Sequence, residues 1–207
     1  MVSDLTDDDP AVDLLREARI GGESAFGRLL DRYANYLTLL ARVEVGRRLQ
    51  GKLDPADLVQ ETFLEAHRHF AAFRGTTEPE FARWLRRILA GVLANTIRHY
   101  FGTRARDLRL EQAIRAAVDQ SSYALVSQLP DPGLSPSEVV ARREQAVLFA
   151  DALAGLPDDY REVLVLRNLE GLPFLDVAGR MGRTVDSVEK LWLRAIDRLR
   201  HTVEGGS

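Results

Sequence analysis

The residues with chemistry to offer in this chain are four histidines, a dense run of arginines and a set of acidic helical positions; there is no cysteine. Without a thiol there is no disulfide, no thiolate nucleophile and no cysteine-ligated zinc. His67 and His69 suggest a metal pair, but two residues along a helix turn them about 200° apart, so they cannot share an ion. His99 and His201 have no neighbouring carboxylate pattern, no glycine-rich phosphate loop follows a strand, and no serine sits in a nucleophile-elbow context. The sequence thus predicts neither intrinsic catalysis nor a bound cofactor or metal.

The arginines point elsewhere. Arg83 to Arg109 holds seven of them against a single acid, Asp107, although the whole chain carries a net charge of -3. Only Lys52 and Lys190 are lysines, a ratio that a GC-rich codon supply produces without functional demand. The clustering is more informative, because a local basic face binds polyanions even on an acidic protein. Arginine attracts phosphate, and an aromatic can stack on an unpaired base for about 1–3 kcal/mol. Trp84 lies on the apolar stripe and reads as core.

Helices must position these groups. Strand alternation is absent, and glycine and proline fall between periodic runs. The spacing predicts helices over Pro10 to Ile20, Glu23 to Gly46, and Asp54 to Phe73, with Asp54 as N-cap and Pro55 in the first turn. Thr77 with Glu80 forms a capping box for a helix reaching Tyr100-Phe101. Its apolar stripe is Phe81, Trp84, Leu85, Ile88, Val92 and Leu93, and its other face carries Arg83, Arg86, Arg87 and Arg98. A weaker helix follows to about Ala117. Serines, prolines and Gly133 between Asp119 and Pro136 predict a flexible linker, about 25 Å end to end over roughly 20 residues. The expected architecture is all-α: two small helical domains, 9–117 and 135–203, joined by a linker over 118–134.

The second domain opens on a capping box at Ser135-Pro136-Ser137-Glu138, with helices to Leu153 and from Pro157 to Asn168. From Phe174 to Leu193 the pattern suits a helix-turn-helix. Ala178 is small where two helices cross, and Gly182 can take the positive φ of the turn. Thr184 caps the second helix, whose inward stripe is Val185, Val188, Leu191, Trp192 and Ala195. Arg183, Thr184, Asp186, Ser187, Glu189, Lys190 and Arg194 then face outward, as on a helix that enters the DNA major groove. A helical hairpin packed on a neighbour is the other reading of this segment.

Both halves, in this order, resemble a bacterial RNA polymerase sigma factor of the extracytoplasmic-function class. The first half does so through Asp57-Leu58-Val59-Gln60-Glu61-Thr62-Phe63-Leu64-Glu65 and Phe81-Ala82-Arg83-Trp84-Leu85-Arg86-Arg87-Ile88. The second does so through Ser135-Pro136-Ser137, Leu156-Pro157, Arg161-Glu162-Val163-Leu164 and the helix-turn-helix ending Arg194-Ala195. No middle domain separates the halves, which is what makes the likeness one to this class. The resemblance implies a transcription initiation factor that binds core RNA polymerase, at the beta-prime clamp helices and the beta flap, and directs it to promoter DNA. On that likeness Asp57, Gln60, Glu61 and Glu65 face the polymerase while Leu58, Phe63 and Leu64 belong to the core. On the same likeness the arginine-rich helix captures and helps open the proximal promoter element, with Arg74, Thr76, Arg83, Arg87, Asn95, Arg98, Tyr100 and Arg104 as the candidates around that surface. Arg183, Thr184, Ser187, Lys190 and Arg194 contact the distal one. An anti-sigma protein is a further partner that membership implies. Four positions depart from the family's pattern: Gly91 stands where Asn is usual, Asn95 where an acid is favoured, Pro173 where Ser or Thr caps, and Glu189 where a base is common.

A stand-alone helix-turn-helix regulator is the alternative class. Such proteins dimerise on paired half-sites, and no long apolar seam is left here for a dimer. A helical adaptor without promoter function is the blander one. No apolar stretch is long enough to cross a bilayer, and Met1 to Pro10 carries four aspartates and no base, unlike a secretory signal. These features predict a cytoplasmic protein without membrane insertion.

Overall fold

The computed structural model describes residues 10–49, 53–101, 108–127 and 138–204, and all regular structure among them is helical. The helices are α1 (Pro10–Arg19), α2 (Glu23–Arg32), α3 (Ala34–Leu49), α4 (Pro55–His69), α5 (Glu78–Phe101), α6 (Leu108–Ser127), α7 (Glu138–Ala154), α8 (Asp158–Leu164), α9 (Phe174–Met181) and α10 (Val185–Glu204). A 3-10 turn, Phe70–Ala72, follows α4, and a π turn, Val165–Leu169, follows α8. Contacts divide the chain into two compact units, 1–41 with 55–116 and 42–54 with 117–207. Among the described residues no helix is long and apolar enough to cross a membrane.

The first unit is built on aromatic packing. Phe81 is fully buried and meets Tyr33, Phe73 and Trp84 at ring distances of 5.4, 5.6 and 5.5 Å. Phe26 lies 4.1 Å from Phe70, and Leu29, Leu37, Leu40, Leu85, Leu89 and Leu93 fill the space between α2, α3 and α5. The single helix expected over Glu23 to Gly46 is two. The break falls at Tyr33, whose φ of -98° and ψ of 0° leave the α-helical range. Tyr33 is completely buried there and its hydroxyl donates to Glu78 Oε1 at 2.8 Å, so a tertiary hydrogen bond stabilises the interruption. Glu78 begins α5, so this bond ties the α2–α3 junction to the start of the helix that carries the arginines.

The second unit buries Val163, Leu164, Val165, Leu166 and Leu169 against Val177, Ala178, Val188 and Ala195. Trp192 closes one edge, its Nε1–H donating to Asn168 Oδ1 at 2.9 Å and its ring meeting Phe174 edge-on at 5.6 Å. Within this unit Arg42 pairs with Glu162. Burial holds the Arg42 guanidinium below its ordinary range, with Glu170 pulling the other way. Glu170 itself bonds Arg180 at 2.7 Å and packs on Gly46, where an added Cβ would stand 2.6 Å from its carboxylate.

The stretch read as linker is partly helix. α6 runs on to Ser127, ten residues past the expected end, because Ile114, Val118, Ser121, Ser122 and Leu125 form one buried helical stripe. Ser121 Oγ donates to the buried Glu44 carboxylate at 2.8 Å, which satisfies two polar groups inside the unit. The capping box at Ser135 to Glu138 begins outside the described residues.

Candidate nucleic-acid and partner interfaces

Three surfaces carry the residues singled out from the sequence. On α4, Pro55 opens the helix, and Leu58, Val59, Thr62 and Ala66 are buried, which turns the opposite side outward. Asp57, Gln60 and Glu61 are exposed there and Glu65 is half-buried. Arg68 lies 2.5 Å from Glu65 and 3.9 Å from Glu61, and His69 Nε2 lies 3.2 Å from Glu65. These exposed pairs are screened by solvent and leave the carboxylates free to exchange partners.

Leu64 is not core. It is 53% exposed, because it stands three and four residues after Glu61 and Gln60 and so shares their face. Phe63 is half-buried. The face therefore sets one exposed apolar side chain, Leu64, among Asp57, Gln60, Glu61 and Glu65.

The second surface begins at the loop between α4 and α5. Glu80 receives the backbone N–H groups of Thr76 and Thr77 at 2.8 and 3.1 Å and the Thr77 hydroxyl at 3.0 Å, which completes the capping box. The Thr76 N–H, aided by Thr77, holds the Glu80 carboxyl below the usual range. Arg74 is exposed and donates to the Ala71 carbonyl at 2.8 Å. Gly75 is tightly hemmed in: a Cβ there would stand 2.4 Å from Phe73 Cζ and 2.8 Å from Glu80 Cβ. Arg19, which no motif or spacing singles out, donates to the Gly75 carbonyl and stacks 5.7 Å from the Phe73 ring.

Along α5, Arg83, Arg87 and Asn95 are exposed and Arg98 is half-buried, donating to Asn95 Oδ1. Their spacing places them on one side of the helix, with Gly91 among them. A Cβ at Gly91 would meet nothing within 4 Å. Arg86 does not belong to this face. It is 7% exposed and its Nη1 donates to the Tyr36 hydroxyl at 3.1 Å, so it serves the interior. Tyr100 is half-exposed but, two residues beyond Arg98, leaves the helix from the far side. Trp84 is half-buried, 4.9 Å from Phe73, as core reading expects. Arg104 lies outside the described residues.

The third surface is the helix-turn-helix formed by α9 and α10. Gly182 has φ 63° and ψ 33°, and the N–H of Arg183 reaches the Ala178 carbonyl at 3.0 Å, a Schellman-type end to α9. Thr184 Oγ1 accepts from the Ser187 N–H at 3.3 Å, capping α10. Val188 and Ala195 are fully buried and fix the inner face. Arg183, Thr184, Lys190 and Arg194 are exposed and Ser187 is half-buried. Arg183 pairs with Asp159 and Lys190 with Asp186 at 2.8 Å, whereas Arg194 has no ion pair among the described residues. Sequence reading left out Leu193, which is 61% exposed on the outer side of α10, three residues after Lys190.

Comparison with known proteins gives these surfaces a context. Residues 24–100 match "Sigma-70 region 2" and residues 146–199 match "Sigma-70, region 4". The chain is 30% identical over 191 residues to the ECF RNA polymerase sigma-E factor of Haemophilus influenzae, covering 92% of this chain and 94% of that one. It is 26% identical to the protein of the same name from Escherichia coli K12, covering 92% and 93%. It is 29% identical to the ECF RNA polymerase sigma factor BldN of Streptomyces coelicolor, covering 91% of this chain and 64% of the relative. Among solved structures, CnrH in complex with the cytosolic domain of CnrY aligns over 96% of this chain and 100% of that chain, at 23% identity and a TM-score of 0.34. Matches to both regions, and to sigma-E over nearly the full length of each chain, mean that this protein belongs to the ECF class of the sigma-70 family: a non-enzymatic initiation factor that gives RNA polymerase its promoter specificity.

Proposed function

We propose that the three surfaces divide the work of a sigma factor among themselves. The outer face of α4, Asp57, Gln60, Glu61, Leu64 and Glu65, docks on the beta-prime clamp helices of core RNA polymerase. Arg74, Thr76, Arg83, Arg87, Asn95 and Arg98, with Arg104 beyond them, engage the proximal promoter element, whereas Tyr100, on the far side of α5, does not share their face. At that element phosphate attraction and contacts to unpaired bases offset an unstacking cost of a few kcal/mol per flipped base. Arg183, Thr184, Ser187, Lys190 and Arg194 read the distal element, and the domain that carries them, 135–203, also meets the beta flap. The domain over 9–117 supplies docking and opening. The protein works in the cytoplasm, where polymerase and promoter meet, and an anti-sigma protein is the partner that restrains it.

The observation that carries this reading is Leu64, exposed at the middle of the acidic face of α4. Leu64 supplies the apolar centre that a docking face with a polar rim of Asp57, Gln60, Glu61 and Glu65 uses. A pull-down of the cognate core polymerase with the intact chain, and with Glu61 and Glu65 both changed to Arg, tests it. Stoichiometric capture that the reversal weakens at least tenfold is the expected result. Equal capture of both proteins would refute the assignment of this face. No capture of the folded chain would move the stand-alone regulator to first place.

A further inference from the structure

Two side chains on the outer face of α10 have no use in contacting phosphate. Glu189 is exposed and has no hydrogen bond or ion pair among the described residues. Leu193 is 61% exposed. The Asp186 carboxylate, by contrast, is occupied by Lys190 at 2.8 Å. With Val188 and Ala195 fixing the inner side, Glu189 and Leu193 lie about 40° apart around the axis and about 6 Å along it, one turn from each other. They form a small acidic-apolar step beside the cations Lys190 and Arg194.

A free carboxylate brought up to DNA is repelled by phosphates, so its place on a groove-facing helix needs a donor on a base edge. In the major groove the donors are the amino groups of cytosine and adenine, and adenine sets an N7 acceptor beside its own. Cytosine N4 is therefore the better partner for Glu189. An exposed leucine finds one apolar group in the major groove, the 5-methyl of thymine. Arg194 and Lys190, on the adjoining side, supply the phosphate attraction that holds the pair in place.

We infer that α10 reads a cytosine through Glu189 and a thymine methyl through Leu193 in the distal promoter element, within about two base-pair steps of each other. This rests on the reading that α10 enters the major groove of that element. The Glu189 carboxylate accepts from the cytosine amino group, and Leu193 covers the thymine methyl. The departure of Glu189 from the basic residue common in the family is then a change of recognised base and not a loss of binding.

The test is selection of promoter fragments, randomised in the distal element, by holoenzyme reconstituted from core polymerase and the full chain. Wild type, Glu189→Gln and Leu193→Ala are compared; both positions are exposed, and matching thermal melts verify that the variants fold. Wild type is expected to enrich a motif with a C and a nearby T. Glu189→Gln should shift the C position toward A by roughly tenfold, because Gln donates as well as accepts. Uracil in place of that thymine should weaken wild type by about threefold, a methyl group's worth, and leave Leu193→Ala unaffected. An enriched motif that is the same for all three proteins, or indifferent to uracil, would overturn this inference and leave the helix-turn-helix reading intact. A holoenzyme that forms but shows no distal preference would overturn both.

Discussion

Gly75 is the position where the structure makes its sharpest energetic claim. Changing it to Ala places a methyl 2.4 Å from Phe73 Cζ and 2.8 Å from Phe73 Cε2 and Glu80 Cβ. Carbon atoms pack best at about 3.5–4.0 Å, so the Phe73 ring or the loop backbone must retreat by about an ångström. The ring has little freedom: it sits 5.6 Å from Phe81 and 4.9 Å from Trp84, with Arg19 beside it at 5.7 Å. Overpacking of this kind costs about 1–3 kcal/mol. For a unit near 100 residues, each kcal/mol lowers Tm by roughly 4 °C or more. Gly91→Ala is the matched control, because a Cβ there meets nothing within 4 Å and lies mid-helix. Relieving glycine's backbone entropy should raise stability by about 0.5–1 kcal/mol. Scanning calorimetry of the full chain in a Trp192→Phe background, with the first unit's transition assigned by Trp84 fluorescence, reads both. Opposite signs are the expected outcome. A Gly75→Ala protein that melts with wild type would mean the loop has slack, and the account of how Arg74 and Thr76 are held would fall with it.

Other consequences are open to direct test. Glu80 is more acidic folded than unfolded, so its contribution is complete above the ordinary carboxylate range and is lost as pH falls through the lower folded value. Melting curves of wild type and Glu80→Gln should therefore differ most near neutrality and converge in acid; a gap that stays constant with pH would contradict the cap. Thr184→Ala removes the Oγ1 acceptor of the Ser187 N–H and should cost about 1 kcal/mol in urea unfolding of the second unit. No change would show that the cap is idle. Leu64→Asp should leave the melting temperature within a degree or two, since the side chain is 53% exposed, yet weaken core-polymerase capture by at least tenfold. A large loss of Tm would return Leu64 to the core.

Much of the fold can be read from local chemistry, because many helix ends are set by residues within four positions of each other. Thr77 with Glu80, Thr184 with Ser187, and Gly182 at φ 63° all carry their signal in the chain itself. What escapes is decided at long range. The break at Tyr33 has no glycine or proline to announce it; it is stabilised by a hydrogen bond to Glu78, forty-five residues on. The end of α6 is hidden because Ser121 and Ser122 read as linker until Glu44, seventy-seven residues earlier, supplies a buried acceptor. Arg86 looks like one more exposed arginine until Tyr36 takes its proton donor inside.

The interfaces divide in the same way. The polar rim of α4, the arginine side of α5 and the capped start of α10 follow from charge and helical spacing. Leu64 and Leu193 do not: the first reads as core and the second falls on neither assigned face, and only the packed structure shows the two standing out. The spacing that places them with Gln60 and Glu61, and with Glu189 and Lys190, was available in the sequence. Composition alone masked it.

The central claim is that this chain confers promoter specificity only as part of the polymerase. The direct measurement is to present genomic promoter fragments to core enzyme, to the chain, and to the two together, and to sequence what each retains. A discrete set of fragments should be enriched by the reconstituted holoenzyme and by neither component alone. Retention of the same set by the chain without polymerase would contradict the account.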